Sequence, residues 1–270
     1  MIIVLAPTSR RRRALPNLAV AAALLLGACA GERPALSDTR EPAPASTGVP
    51  EVTTTSTPAD PAVVAQAKAD SIQIFDDAAV ATPTGRFDGG VITAADATSA
   101  PGIPIVFLVK QATDDNGRYE VYLPVRPNGS TGWVRASDVD VTTVTYRIEV
   151  SITEHRLRVF DGEDIIVDEP VGVGTVDRPT PGGIYYLKEL LQPPDPNGPY
   201  GTFAYGLSGF SNVLKSFNGG AGVIGIHGTN DPGAVGTDVS SGCIRLTNDV
   251  INRLVNEVGL PLGTPVKILA

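Results

Sequence analysis

The chain has 270 residues, 42% of them hydrophobic and 19% charged, enough for one or two domains each with its own core. Aromatic residues make up only 6%, against 29 glycines and 23 prolines, a balance that favours turn-rich β-structure over a helical bundle. The net charge of −8 supplies no basic footprint, which sets nucleic acid aside as a partner.

Arg10 to Arg13 form a positive opening, followed by an apolar run from Leu18 to Ala28 that is shorter than the roughly 20 residues needed to cross a bilayer. Residues 1–28 therefore read as an export signal. The run ends in Leu26-Gly27-Ala28-Cys29, which resembles the bacterial lipobox. That resemblance implies cleavage before Cys29, acylation of its sulfur, and a lipid-anchored protein at the outer face of the cytoplasmic membrane or in the periplasm. The arginines fit a plain signal and also faintly resemble a twin-arginine one, so both export routes stay open. With Cys29 acylated, Cys243 is the one thiol of the mature chain and no internal disulfide can form.

Residues 29–71 are rich in Pro, Thr, Ser and Ala, and the first aromatic residue of the chain is Phe75. Such a segment buries too little apolar surface to offset its ordering entropy and is expected to be a disordered tether. Residues 72–143 then show short apolar runs broken by turn signals. "IPIVFLVKQ" and "RYEVYLPV" read as strands joined by a hairpin over Asp114 to Gly117, and Asn128-Gly129 as a tight turn before Trp133. This pattern resembles the small Src-homology-three-like β-barrels of bacterial envelope proteins, with Trp133 expected in the core.

Residues 144–270 form a better patterned unit. "RIEVSIT" alternates with Ile148, Val150 and Ile152 on one face, and "RLRVF" and "IIVDEPVGVG" follow around Asp161-Gly162 as hairpin strands. Thr247 can cap a short helix carrying Ile251, Leu254, Val255 and Val258, Gly259 can close it, and Val266 to Leu269 form a last strand. The whole is expected to be mainly β with one or two short helices.

Within "IGIHGTNDPGAVGTDVSSGCIRLTNDV" stands the remaining thiol. A free cysteine has a pKa of about 8.5 and needs a base or a positive neighbour to become a nucleophile at neutral pH. Of the two histidines, His227 precedes Cys243 by 16 residues across a glycine-rich loop that can fold back, whereas His155 in "TEHRLRV" sits at a strand edge and reads as solvated. A zinc site wants three or four ligands and finds one thiol and two distant histidines, so neither metal nor cofactor is implied. A papain-like peptidase needs a histidine after its cysteine, and none follows Cys243. Gly242 frees the backbone to turn its amides, with that of Cys243, toward an oxyanion. Arg245 can hold the loops by a salt bridge, bind a substrate carboxylate or support the thiolate.

Together, His227-Gly228-Thr229, the spacing to Ser240-Ser241-Gly242-Cys243-Ile244-Arg245-Leu246, the upstream "TPGGIY" and "LLQPPDPNGPYG" resemble the catalytic domain of L,D-transpeptidases from about Thr145 to the C-terminus. Ser241 stands where many members carry a second histidine. The resemblance implies a β-sandwich preceded by the small barrel, and acyl transfer on peptidoglycan stem peptides with no cofactor. Cys243 attacks the carbonyl of the third residue, terminal D-alanine leaves, and an amine of a neighbouring stem takes the acyl group. Water or a protein lysine as acceptor, or a wall-binding lipoprotein without activity, are the alternatives. By position, His227 is the base and the Gly228 carbonyl orients its ring. Asn230, Tyr200, Tyr205, Ser241 and Arg245 are expected to line or support the site. The resemblance also implies reaction with carbapenems.

Overall fold

The fold is described from a computed structural model that covers residues 3–4, 60–79, 82–83, 85–88, 91–92, 104–113, 117–216 and 220–270. The apolar run from Leu18, Cys29 and the tether as far as residue 59 lie outside the described residues. The described residues form one compact unit. It has two β-rich parts.

The first part contains β1 (Ala62–Ala67), β2 (Ser71–Ile74), β3 (Val106–Thr113), β4 (Arg118–Tyr122), β5 (Thr131–Arg135) and β6 (Val139–Val144). Five of these make an antiparallel sheet in the order β5-β4-β3-β1-β6. β2 pairs instead with Gly85–Asp88, and the backbone of Phe75 just after it pairs with Trp133 at 2.9 and 2.7 Å. The tether expected to reach residue 71 thus ends earlier. "AVVAQA" is weakly apolar, yet as β1 it lies between β3 and β6, where Val64 and Ala65 are buried and both edges of its backbone are hydrogen-bonded. Trp133 is a second correction. Strand alternation sends Gly132 and Val134 inward and leaves Trp133 half-buried, so Phe75 and Phe107 fill the core.

The second part contains β7 (Tyr146–Ser151), β8 (Arg156–Asp161), β9 (Asp164–Pro170), β10 (Val173–Gly174), β11 (Gly183–Gln192), β12 (Ala204–Phe210), β13 (Val223–His227), β14 (Asp238–Ser240), β15 (Ile244–Arg245), helix α1 (Asn248–Arg253) and β16 (Pro265–Leu269). The sheet order is β9-β8-β7-β16-β11-β12-β13-β15, with β10 and β14 paired apart from it. The two hairpins β7–β8 and β8–β9 match the alternating sequence, and Gly162 turns between the latter with φ +60°. Thr247 caps α1 by accepting from the Val250 amide, a wider π-type turn continues over Leu254–Val258, and Gly259 closes it at φ +69°. Ile251 and Leu254 from this helix join the strand side chains Ile148, Val150, Leu157, Tyr185, Tyr205, Ile224 and Ile226 in one core.

The two parts share apolar clusters. Tyr186 on β11 is fully buried against Val64, Val106, Leu108 and Val144, and Phe210 at the end of β12 completes the cluster around Phe107 and Val134. Polar contacts reinforce the seam. Arg126, after β4, donates to the carbonyls of Ser211 (2.7 Å), Leu214 (3.0 Å) and Ala221 (3.0 Å), so one guanidinium gathers both arms of the β12–β13 connection. Asn128 Nδ2 donates to the Phe210 carbonyl at 2.8 Å and its Oδ1 accepts from the Phe210 amide at 2.9 Å. A carboxamide thereby pairs with β12 as a strand backbone would.

Candidate active site

β13 alternates Ile224 and Ile226 into the core, which turns Gly225 and His227 to the opposite face. The short β15 runs parallel beside it with Ile226 opposite Ile244 and His227 opposite Arg245. The loop from Gly228 to Ser241 therefore folds back and lays the cysteine segment along the histidine strand. His227 is 4% exposed, and its Nδ1 lies 2.6 Å from the Gly228 carbonyl oxygen. A carbonyl can only accept, so Nδ1 carries the proton and Nε2 keeps its lone pair. Burial pushes the imidazole pKa down to about 4; the Gly228 carbonyl opposes this and the charge of Arg245 adds to it. The ring edge of half-buried Tyr200 packs 5.0 Å from the imidazole at an interplanar angle of 60°.

Cys243 is half-buried and unpaired. Burial raises its thiol pKa, while the backbone of Gly225 and the nearby Arg245 charge pull the other way. At neutral pH Cys243 is thus a thiol and His227 a neutral imidazole. Arg245 is anchored through its backbone, which exchanges hydrogen bonds with Gly172 at 2.9 and 2.8 Å, and its buried Nε has no partner among the described residues. The buried Oγ1 of Thr175 is likewise unpartnered, although its backbone amide donates to the Ser240 carbonyl at 3.0 Å.

Gly242 adopts φ +115°, a conformation L side chains rarely take. That turn sends its amide to Ser240 Oγ at 3.0 Å, and Ser240 Oγ donates on to the Cys243 carbonyl at 2.6 Å. The expectation that the Gly242 amide faces an oxyanion is corrected here, because that donor is already engaged. Gly228 is required for another reason: a Cβ there would stand 2.2 Å from Asn248 Oδ1, the atom that accepts from the Thr229 amide. Asn248 and Gly225 escaped the sequence reading. The helix-cap context of "LTND" held the only hint of Asn248, and nothing local marked Gly225.

The remaining expected residues separate. Asn230 is exposed and lines an open cleft of about 470 Å³ with Asn197, Thr229, Pro232, Thr247, Asn248 and Asp249. Ser241 is half-buried next to Gly242. Tyr205 is 1% exposed, and its hydroxyl donates to the Leu260 carbonyl at 3.3 Å. It is a core residue rather than a cleft wall, since it shares the inward phase of Ile226 across the β12–β13 pair. His155 sits in a turn at φ +50°, and its Nε2 meets Asp238 Oδ1 at 2.8 Å, so it is partnered rather than simply solvated.

A model of the L,D-transpeptidase catalytic domain matches residues 145–268. YkuD of Bacillus licheniformis, named as an L,D-transpeptidase, is 35% identical over 126 residues, 47% of this chain and 67% of that protein. The chain belongs to the L,D-transpeptidase family. ErfK/SrfK of Salmonella typhimurium, also named as an L,D-transpeptidase, is 30% identical over 181 residues, 57% of this chain and 53% of that one. Among solved structures, Bd1075 of Bdellovibrio bacteriovorus is 33% identical with a TM-score of 0.36, covering 46% of this chain and 48% of that chain. The chain spans about half the length of these last two relatives. The mainly β architecture agrees with membership of the family.

Proposed function

We propose that the chain is an exported cysteine acyltransferase that cross-links peptidoglycan stem peptides between their third residues. Cys243 is the nucleophile and His227 the base. The observation that carries this reading is the tautomer of His227: Nδ1 is committed to the Gly228 carbonyl, which leaves a buried, neutral Nε2 to take a proton on the face where Cys243 lies. Because the imidazole titrates near 4 and the thiol is raised, the proton moves as the sulfur attacks, rather than resting on a preformed ion pair. The Gly225 backbone then stabilises the sulfur as charge develops on it. The unpartnered Arg245 Nε suits the terminal carboxylate of the departing D-alanine, and the Cys243 amide remains as an oxyanion donor in place of that of Gly242.

The lipobox at Cys29 supports lipid anchoring and residence in the cell envelope, and residues 62–144 serve as a small Src-homology-three-like brace against the catalytic part. The reading is tested with a tetrapeptide-stem donor and a tripeptide-stem acceptor, following D-alanine release and cross-linked product by mass spectrometry. Cys243→Ala is expected to lose both with its unfolding midpoint kept. Continued D-alanine release from that variant would overturn the cysteine mechanism.

A further inference from the structure

β11 carries a β-bulge: Leu187 pairs with Leu207 and Glu189 with Gly206, which leaves Lys188 as the extra residue. Leu187 and Leu190 remain in the core, so the bulge turns Lys188 and Glu189 together to the other face, the one that bears His227. Both are nearly buried, at 4% and 6% exposure, and Lys188 Nζ meets Glu189 Oε1 at 3.3 Å. The Glu189 side chain lies over Gly206, where a Cβ would stand 2.5 Å from Oε1. Gly206 is opposite Gly225 on the next strand, and the parallel register that sets Ile226 against Ile244 brings the preceding Cys243 to the level of Gly225. Glu189, Gly206, Gly225 and Cys243 therefore form one row across the sheet, floored between carboxylate and sulfur by two glycines. The carboxylate stands over Gly206, one strand spacing of about 4.8 Å from Gly225. Arg245 stands two residues along the chain from Cys243, opposite His227 in the neighbouring row. The carboxylate thus approaches the thiol segment across the sheet, and the arginine lies along that segment itself.

We propose that Glu189 is the acceptor-side binding residue, its carboxylate receiving the ammonium group of the incoming diamino acid while Lys188 holds it in place. This rests on the acyl-transfer reading above. The two substrates of that reaction carry opposite charges near the reacting atoms: the donor ends in a carboxylate, which suits Arg245, and the acceptor brings an amine, which suits Glu189. The ammonium first gives one proton to solvent, and the resulting neutral amine nitrogen attacks the thioester carbon. The new C–N bond forms as the C–S bond breaks and its electron pair returns to sulfur. The proton lost from nitrogen passes through His227 Nε2 to the thiolate. Gly206 leaves room for the Glu189 carboxylate itself, and Gly225 carries no side chain into the path from it to the thiol.

The test measures, for the full chain in detergent, the ratio of cross-linked to hydrolysed product from a tetrapeptide-stem donor over a range of tripeptide-stem acceptor concentrations. Glu189→Gln is expected to lower that ratio about tenfold or more, chiefly through the acceptor KM, as for the loss of one charge-assisted hydrogen bond. Gly206→Ala keeps the carboxylate and its lysine but displaces it from the row, and should lower the ratio in the same way. It decides the matter alone if Glu189→Gln does not fold. Unchanged ratios and acceptor KM in the folded variants would reduce Glu189 to a structural partner of Lys188 and end the proposal. A parent that forms the acyl-enzyme and only hydrolyses it would also end it. A parent that forms no acyl-enzyme would instead bring down the acyl-transfer reading.

Discussion

The two β-rich parts of the molecule treat their ionisable groups in opposite ways. In the part up to residue 144, charged side chains are spent on structure. Arg118 and Arg135 stack over the Phe75 ring at 3.8 and 4.6 Å, Lys110 pairs with Glu120 at 2.8 Å, and Arg126 collects three carbonyls. In the part from residue 145, groups that water would stabilise are held away from it: a neutral imidazole at 4% exposure, a thiol raised by burial, and a lysine–glutamate pair under the sheet face. Each of these costs stability. Buried polar groups of this kind gather where a fold serves chemistry, and here they lie on β11, on β13 and just before β15.

That contrast can be broken most strongly at Arg126. Its replacement by alanine removes three hydrogen bonds from a charged donor and leaves the Ser211, Leu214 and Ala221 carbonyls short of partners, so a loss of about 4 kcal/mol is expected in urea unfolding. A loss below about 1 kcal/mol would show that Tyr186, Phe210 and Asn128 hold the seam without it. Acid sharpens the other side of the comparison. His227 titrates near 4 in the folded chain and near 6.5 when unfolded. Above pH 6.5 both states are neutral and nothing is lost. As pH falls from 6.5 toward 4, the unfolded chain binds a proton that the folded one refuses, and stability drops by up to roughly 3 kcal/mol. His227→Gln has no such proton to bind. Between pH 7 and 4 its stability should therefore fall less than that of the parent by about this amount, the carboxylates being common to both, and equal falls would mean that the imidazole is not buried as described.

The proposed reacting residues, Cys243 and His227, stand out in the sequence because they are rare types in a chain with two cysteines and two histidines, embedded in short motifs with strong local turn signals. The hairpins β7–β8–β9 and the capped helix were legible for the same local reason. Phase was harder. Trp133 and Tyr205 each sit in a clear strand, but which face looks inward depends on the sheets around them, and both were placed on the wrong side. β1 was missed because its weakly apolar residues become a strand only through partners some 40 and 75 positions away, Val64 pairing with Leu108 and Thr142. The row from Glu189 to Cys243 joins four segments through register and one bulge, and no window of sequence contains it.

The central claim, that a buried neutral His227 activates Cys243, is tested most directly by acylation without an acceptor. A carbapenem opens on a nucleophilic sulfur and remains attached, so intact-protein mass spectrometry over time reads the first half-reaction alone. The account predicts one adduct on Cys243 in the parent and none in Cys243→Ala. The same adduct should form about 10²–10⁴-fold more slowly in His227→Ala, the range for loss of a general base, and at the parental rate in His155→Ala. An adduct forming in Cys243→Ala, or His155→Ala slowed while His227→Ala keeps pace with the parent, would contradict it.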